Sequence, residues 1–345
     1  MLKYGVRHLF NVVLALAMIG TAAARQNTAP LLPLGRSFLH AHNSYPEKGK
    51  FADRIDRALK TGVSPIVIEQ DVALAMRGGT PVSVVSHDDK LTGTEPTLDD
   101  YFFKRVQPLL DRALNDKAQA QWPVMVLHLD FKTNETTHHR AVWDLLKRYE
   151  RWLTTAPRLS DTIAPVTRGP LLVLTENGAG QEKDFTDARN GDRLLLFGSA
   201  PAPAASRIEN AEQRARALAA ASPQQLIAGP ATNYRRWVNF SWQVVEHGGP
   251  PRAGEWHSTD AARLQAVVDH AHNLGYLVRF YTLNGHAASE HPEWSASYNF
   301  GSFEAVRRRW QAAIAAGVDL IATDQYEEFA ALLRLLRSDR PRQHE

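Results

Sequence analysis

What most constrains this chain is a pattern met four times before residue 133: a short apolar run that stops abruptly on ionisable side chains. Phe38-Leu39 runs into His40-Ala41-His42-Asn43, and Ile66-Val67-Ile68 runs into Glu69-Gln70-Asp71. Val82-Ser83-Val84-Val85 ends on Ser86-His87. Val124-Met125-Val126-Leu127 ends on His128-Leu129-Asp130-Phe131-Lys132. Short apolar runs bounded by polar residues read as buried strands. Charged groups are poor core material unless they are paired or liganded, so their recurrence at one end of successive strands marks a site.

The rest of the chain keeps the rhythm. Phe51, Ile55, Ala58 and Leu59 are spaced for one helix face that Gly62 ends. Helical spacing recurs over 98–120, 137–153, 209–221, 263–274, 303–314 and 326–336, with further apolar runs between at 170–176, 193–198, 237–242, 276–283 and 318–324. Strands alternating with helices predict a parallel sheet joined by crossover helices. About eight such units predict a closed (β/α)8 barrel of the TIM type, whose functional groups sit at the carboxyl ends of the strands. A doubly wound open sheet is the alternative. It binds at a switch point, and no Gly-x-Gly-x-x-Gly or Gly-Lys-Ser/Thr phosphate loop marks one here. With 345 residues, 44% of them hydrophobic, one large core is within reach.

Residues 1–24 stand apart. Lys3 and Arg7 form a basic start, residues 9–19 are apolar but for Asn11, and Ala22-Ala23-Ala24 offers small residues for cleavage. This is the layout of a secretory signal peptide. It leaves 25–345 as a single domain, secreted or periplasmic. An uncleaved anchor is the alternative, although the apolar run is short against the ~20 residues that span a bilayer. Without residues 1–24 the formal charge falls from +3 to +1, and nothing marks a nucleic-acid footprint. The absence of cysteine excludes disulfides, thiol nucleophiles and thiolate metal sites.

Residues i and i+2 of a strand point to one side, so Glu69 and Asp71 share a face, and Asp130 adds a third carboxylate from another strand. Burying like charges together is costly unless a cation joins them. Three hard oxygen ligands with the Asn43 carbonyl suit one divalent cation, Mg2+ or Ca2+, rather than zinc. Pairing with Arg or Lys inside the barrel is the plainer alternative. His42 and His87 come from different strands at one rim. They suit acid–base work on a phosphodiester, one taking a proton from the attacking hydroxyl and the other donating one to the leaving oxygen. Lys132 lies on the face of Asp130 and is placed to contact the phosphate. His40 shares a face with His42, and Tyr281 ends a later strand; both are candidates for substrate contact. His128 is open to a structural or a site role. His138, His139, His270 and His272 read as ordinary helix-surface residues, while His286 and His291 fall in a loop, 285–301, that reaches toward a barrel mouth. Trp256 and the run 294–300 offer an aromatic rim for peripheral membrane contact, against the plainer reading of packed aromatics.

Taken in order, His42-Asn43-Ser44-Tyr45, Glu69-x-Asp71, Ser86-His87-Asp88 and Asp130-x-Lys132 resemble the phosphatidylinositol-specific phospholipase C / glycerophosphodiester phosphodiesterase superfamily. Segments 279–284 and 317–324 look like its last two strands, so the likeness runs through essentially all of 25–345. The His-Asn start is most similar to the altered inheritance of mitochondria protein 6 group. The resemblance implies a TIM-type barrel, a divalent cation on Glu69, Asp71, Asp130 and Asn43, a catalytic pair in His42 and His87, and Lys132 on the phosphate. Two positions depart from relatives. The His-Arg-Gly start of glycerophosphodiesterases is absent, and Asp130 stands where many members carry Glu, which matches a sphingomyelinase-D-like pattern. The expectation is an exported, monomeric, metal-dependent phosphoric diester hydrolase, phospholipase C- or D-like, acting on a glycerophosphodiester, phosphoinositide or phospholipid headgroup. A non-catalytic barrel that holds a phosphorylated headgroup and a metal-dependent phosphomonoesterase are its rivals.

Overall fold

The apolar runs become strands that close on themselves. The computed structural model describes residues 30–32, 36–47, 50–116, 119–160, 162–287 and 296–338; the leader-like segment 1–24, His291 and Trp294 lie outside the described residues. In chain order the elements are β1 (Phe38–Ala41), α1 (Arg54–Lys60), β2 (Ile66–Arg77), β3 (Thr80–Val85), α2 (Lys104–Asn115), β4 (Met125–Phe131), α3 (Thr136–Arg148), β5 (Ala156–Pro157), β6 (Leu171–Thr175) and α4 (Gln181–Phe185). There follow β7 (Arg193–Leu194), β8 (Phe197–Ser199), α5 (Ala211–Ala220), α6 (Pro223–Leu226), β9 (Arg235–Ser241), α7 (Ser258–Asn273), β10 (Leu277–Tyr281), α8 (Phe303–Ala315), β11 (Leu320–Thr323) and α9 (Tyr326–Ser338).

Eight strands pair in parallel in the order β1-β2-β4-β6-β8-β9-β10-β11, and β11 pairs back with β1, Phe38 opposite Leu320 and Ala41 opposite Thr323. This is the (β/α)8 barrel that the alternation predicts, and the open-sheet alternative falls because β1 has a partner on each side. Strands covered on both faces read as unbroken apolar runs; β6, Leu171-Leu172-Val173-Leu174-Thr175, is buried throughout. The helices turn one stripe inward. α7 buries Leu264, Val267, Val268 and Ala271, the i, i+3, i+4, i+7 set legible in the sequence. Among the described residues no helix is long and apolar enough to cross a membrane.

Three sequence readings need correction. The run ending at His87 is not a barrel strand: β3 returns antiparallel along β2, Val85 opposite Val72. The cause is the turn between them. Gly78 and Gly79 both take positive φ, 55° and 80°, the backbone of a tight hairpin, whereas a parallel return needs a crossover of a dozen residues or more. The helix read over 98–120 starts with a π-turn, Asp99–Phe103, and stops at Asn115 because Asp116 is extended. His138 and His139 are buried, not surface residues, because the start of α3 is covered by β3 and α4. His138 reaches Ser83 Oγ through Nε2 at 3.0 Å, and His139 meets Asp184 Oδ2 at 2.7 Å.

The amino-terminal face of the barrel carries a pH-sensitive contact. His272, near the end of α7, sets Nε2 2.9 Å from Oδ2 of the buried Asp319. This bond raises the imidazole pKa, against the opposing effect of burial. A folded pKa above the unfolded value of about 6.5 gives stabilisation that is complete below that value and lost as pH rises through the folded pKa. The melting-temperature advantage of the wild type over His272→Gln is therefore expected to be larger at pH 5.5 than at pH 8.5. An equal or larger advantage at pH 8.5 would refute the contact's role.

Candidate active site

The site begins where β1 ends. Asn43 takes φ 54°, a left-handed conformation that Asn tolerates better than most residues, and the chain turns away just after His42. β1 runs beside β11, Ala41 opposite Thr323, so His42 and Asp324 emerge together. His42 Nδ1 lies 3.3 Å from Asp324 Oδ1 and 2.9 Å from Asn43 Nδ2, while Nε2 faces the mouth, 3.8 Å from Glu69 Oε2. Asp324 is itself fixed. Asn284 donates to Oδ2 at 2.5 Å, Asn43 and Arg54 donate to Oδ1 at 3.0 and 3.2 Å, and the Asp324 N–H donates to Asn284 Oδ1 at 2.8 Å. Burial alone would raise the Asp324 carboxyl; His42, Arg54 and Asn284 outweigh it and hold the group below its ordinary pKa. An anionic carboxylate behind an imidazole orients the ring and stabilises the imidazolium formed when the other nitrogen takes a proton.

The register of β2 against β4 builds the acidic cluster, Glu69 opposite His128 and Asp71 opposite Asp130. Lys132 Nζ lies 2.8 Å from both Asp71 Oδ2 and Asp130 Oδ2. Burial raises the Asp71 carboxyl well above its usual value, and the Asp130 charge adds to that. Asp130 is raised by burial and then by Glu176. For both carboxyls burial is the larger cause, a neighbouring carboxylate adds to it, and the Lys132 ammonium opposes it. Ligand atoms of Glu69, Asp71 and Asp130 lie within 4.8 Å of one another. Hard carboxylate oxygens at that spacing suit Mg2+ or Ca2+; here they also pair with Lys132 and Arg279, the plainer alternative that the sequence offered.

Beneath the cluster lies a polar floor. Arg279 of β10 is buried and donates in three directions: Nε to His40 Nδ1 at 3.0 Å, Nη1 to Asn239 Oδ1 at 2.8 Å, and Nη2 to Glu69 Oε2 at 3.1 Å and Oε1 at 3.3 Å. Burial would raise the Glu69 carboxyl; Arg279 and the surrounding histidines hold it well below the usual range. His40, fully enclosed, is lowered by burial and then by Arg279, so it backs Glu69 rather than facing a substrate. His128 sits between two carboxylates, Nδ1 3.6 Å from Glu69 and Nε2 3.6 Å from Glu176. His40, Glu69 and His128 form a second cluster of possible ligands; Arg279 bonds two of its members, as Lys132 bonds two of the first.

Of the residues singled out in the sequence, His42, Glu69, Asp71, Asp130 and Lys132 converge on one mouth. His87 stands at its edge, its side chain half exposed, its ring stacked 6.3 Å from that of Tyr45. Asn43 is near but engaged elsewhere: its Oδ1 accepts from the Tyr45 hydroxyl at 2.7 Å and its amide meets Asp324. Tyr281 lies at the mouth with the Arg279 guanidinium 5.2 Å from its ring centre. The sequence reading missed Asp324, Arg54, Arg279, Glu176 and Tyr298 as site residues. Asp324 and Glu176 each lie at the carboxyl end of an apolar run, the same signal that exposed the others, whereas Arg279 is the middle residue of β10, with Phe280 and Tyr281 after it. Tyr298 has no such signal; a short turn, Ala296–Tyr298, sets its ring 5.6 Å from that of His42. Trp256 is packed, between Trp242 at 5.9 Å and the Arg309 guanidinium at 5.6 Å.

No family model matches this chain, and no curated protein sequence does. Among solved structures, a glycerophosphodiester phosphodiesterase from Parabacteroides distasonis is similar at 15% identity over 88% of this chain and 99% of its own, with a TM-score of 0.48. A Plasmodium falciparum HPPK-DHPS is similar at 10% identity and a TM-score of 0.39, over 89% of this chain and 48% of its own.

Proposed function

We infer that this protein is a metal-dependent phosphoric diester hydrolase of the superfamily that its motifs resemble. The observation that carries the reading is the meeting, at one barrel mouth, of three carboxylates, the Lys132 ammonium and a His42 imidazole backed by Asp324. Glu69, Asp71 and Asp130 would hold one divalent cation, which when bound neutralises phosphate charge and polarises the phosphorus–oxygen bond. Lys132 points its ammonium at the same place and binds a phosphate oxygen. A water, or a hydroxyl of the substrate next to the phosphate, attacks phosphorus as the bond to the leaving alcohol breaks. One of His42 and His87 takes the proton of the attacking group, and the other gives a proton to the leaving oxygen. Attack by a substrate hydroxyl gives a cyclic phosphate first, and the two histidines exchange roles to open it. Export through residues 1–24, a monomeric state and a diester from a lipid or its soluble headgroup belong to the same proposal.

Purified residues 25–345 are expected to cleave bis(p-nitrophenyl) phosphate, to lose that activity in EDTA, and to regain it with Mg2+ or Ca2+. Added cation is also expected to raise the melting temperature, because it binds the folded cluster alone. Cleavage of p-nitrophenyl phosphate without the diester would favour the phosphomonoesterase rival. A thermal shift with cation and no cleavage would favour the binding barrel.

A further inference from the structure

Of the aromatic run 294–300, Tyr298 reaches the mouth. Its ring packs edge-on against two others, 5.6 Å from that of His42 and 6.1 Å from that of Tyr281. Its backbone is pinned just past the end of β10. The Asn284 backbone N–H donates to the Tyr298 carbonyl at 3.0 Å, and the Phe300 N–H donates to the Asn284 carbonyl at 2.8 Å. The Asn299 side-chain amide donates to the His286 carbonyl at 3.0 Å and closes the base of the loop. The Asn284 side chain also holds Asp324, through Nδ2 to Oδ2 at 2.5 Å and Oδ1 from the Asp324 N–H at 2.8 Å. One asparagine therefore fixes both Tyr298 and the carboxylate that backs His42. The Tyr298 hydroxyl has no hydrogen-bond partner among the described residues. Burial raises its pKa, and after burial the groups that act on it are Glu69, Lys132, Arg279 and Asp130. The phenol keeps its proton and is free to donate it in a hydrogen bond.

We propose that Tyr298 is a further catalytic residue, its hydroxyl donating a hydrogen bond to a non-bridging oxygen of the phosphate. The proposal rests on the phosphodiesterase reading above and deepens it. Placement comes first. Glu69 and Asp130 would hold the cation, and Lys132 would meet the phosphate. A hydroxyl on which all three act is set among the groups that would surround the phosphate. The supply of donors comes next. Lys132 gives an N–H each to Asp71 and Asp130, at 2.8 Å, which leaves one of its three. Arg279 is turned to His40, Asn239 and Glu69. A diester phosphate brings two non-bridging oxygens into this mouth, and the Tyr298 O–H is a donor that no protein group has claimed. A donor whose backbone and ring are already fixed costs little to reorganise when the phosphate arrives. The ring and the hydroxyl have separable duties: the ring packs on His42, and the hydroxyl is left for the substrate.

Tyr298→Phe is the test, because it keeps the ring against His42 and removes only the hydroxyl. Its kcat/KM for Mg2+-supported cleavage of bis(p-nitrophenyl) phosphate is expected to fall by about 10–100-fold, the worth of one hydrogen bond to a charged group, with folding checked by circular dichroism. A second substrate separates contact from packing. In the two enantiomers of methyl p-nitrophenyl phosphorothioate, sulfur, a weak acceptor, replaces one non-bridging oxygen or the other. If the hydroxyl touches one of those oxygens, the ratio of the two enantiomers' rates shifts by at least several-fold between wild type and Tyr298→Phe. A residue that only packs lowers both rates alike and leaves the ratio unchanged. Near-normal kcat/KM in Tyr298→Phe, or a lowered one with an unchanged ratio, overturns the assignment. If the wild type cleaves no diester, the hydrolase reading fails by itself. Calorimetric titration of the Mg2+-loaded proteins with dimethyl phosphate then decides Tyr298. Binding several-fold weaker in Tyr298→Phe supports the contact, whereas equal affinity, or no binding by the wild type, overturns it.

Discussion

His42→Ala is expected to lower kcat for metal-supported diester cleavage by about 10^2–10^4-fold, the usual contribution of one positioned acid–base group, while the circular-dichroism spectrum keeps its native shape. Nε2 of His42 is the imidazole nitrogen turned toward Glu69 and the mouth, and Nδ1 faces the Asp324 carboxylate behind it. Asp324→Asn tests that support separately. It keeps the shape of the side chain but removes the charge that stabilises imidazolium, so its loss should fall between wild type and His42→Ala, with the pH–rate profile displaced. His87→Ala should also lose turnover, because the second proton needs a carrier and His87 stands at the edge of the same mouth. Near-normal turnover in both histidine variants, at saturating metal, would sink the acid–base assignment.

Arg279→Met is expected to cost about 3–5 kcal/mol of stability, the range for breaking a buried ion pair from one side. The substitution strands Glu69, which Arg279 bonds through both oxygens, and leaves His40 Nδ1 and Asn239 Oδ1 without their donor. Met fills similar volume, so the loss is one of charge and hydrogen bonds rather than packing. Chemical denaturation in EDTA is the measurement, because a bound cation would partly replace the guanidinium. A midpoint equal to that of the wild type would mean that Glu69 is not anionic in the folded protein. Arg279→Lys keeps the charge but not the three-way fork, and should lie between the two.

The barrel was legible because its strands are covered on both sides. Their apolar runs end sharply, and the ionisable residues that follow share one rim for geometric reasons. Glu69, Asp71 and Asp130 could be grouped from sequence because alternation along β2 puts two on one face and strand order brings the third alongside. What the sequence hid was long-range pairing. Nothing local to Arg279 says that its guanidinium turns inward under Glu69, 210 residues earlier in the chain. Asp324 stands beside His42 only because the last strand closes on the first. The burial of His138 and His139 was equally hidden, since it depends on which element covers the start of α3. Helical spacing gave the faces but not their partners.

The hairpin has a consequence for how such a site can change. His42, Glu69, Asp71, Asp130 and Asp324 are locked by barrel closure, and shifting any one of them means re-registering strands that are paired on both sides. His87 is carried instead on β3, outside the closed ring, after a two-glycine turn at Gly78–Gly79. The residue before His87 is tied to β2, the Ser86 N–H donating to the Asp71 carbonyl at 3.0 Å, but the chain from His87 to Pro96 follows no barrel strand. Substrates of different bulk could therefore be accommodated by altering that loop while the carboxylate cluster stays where it is.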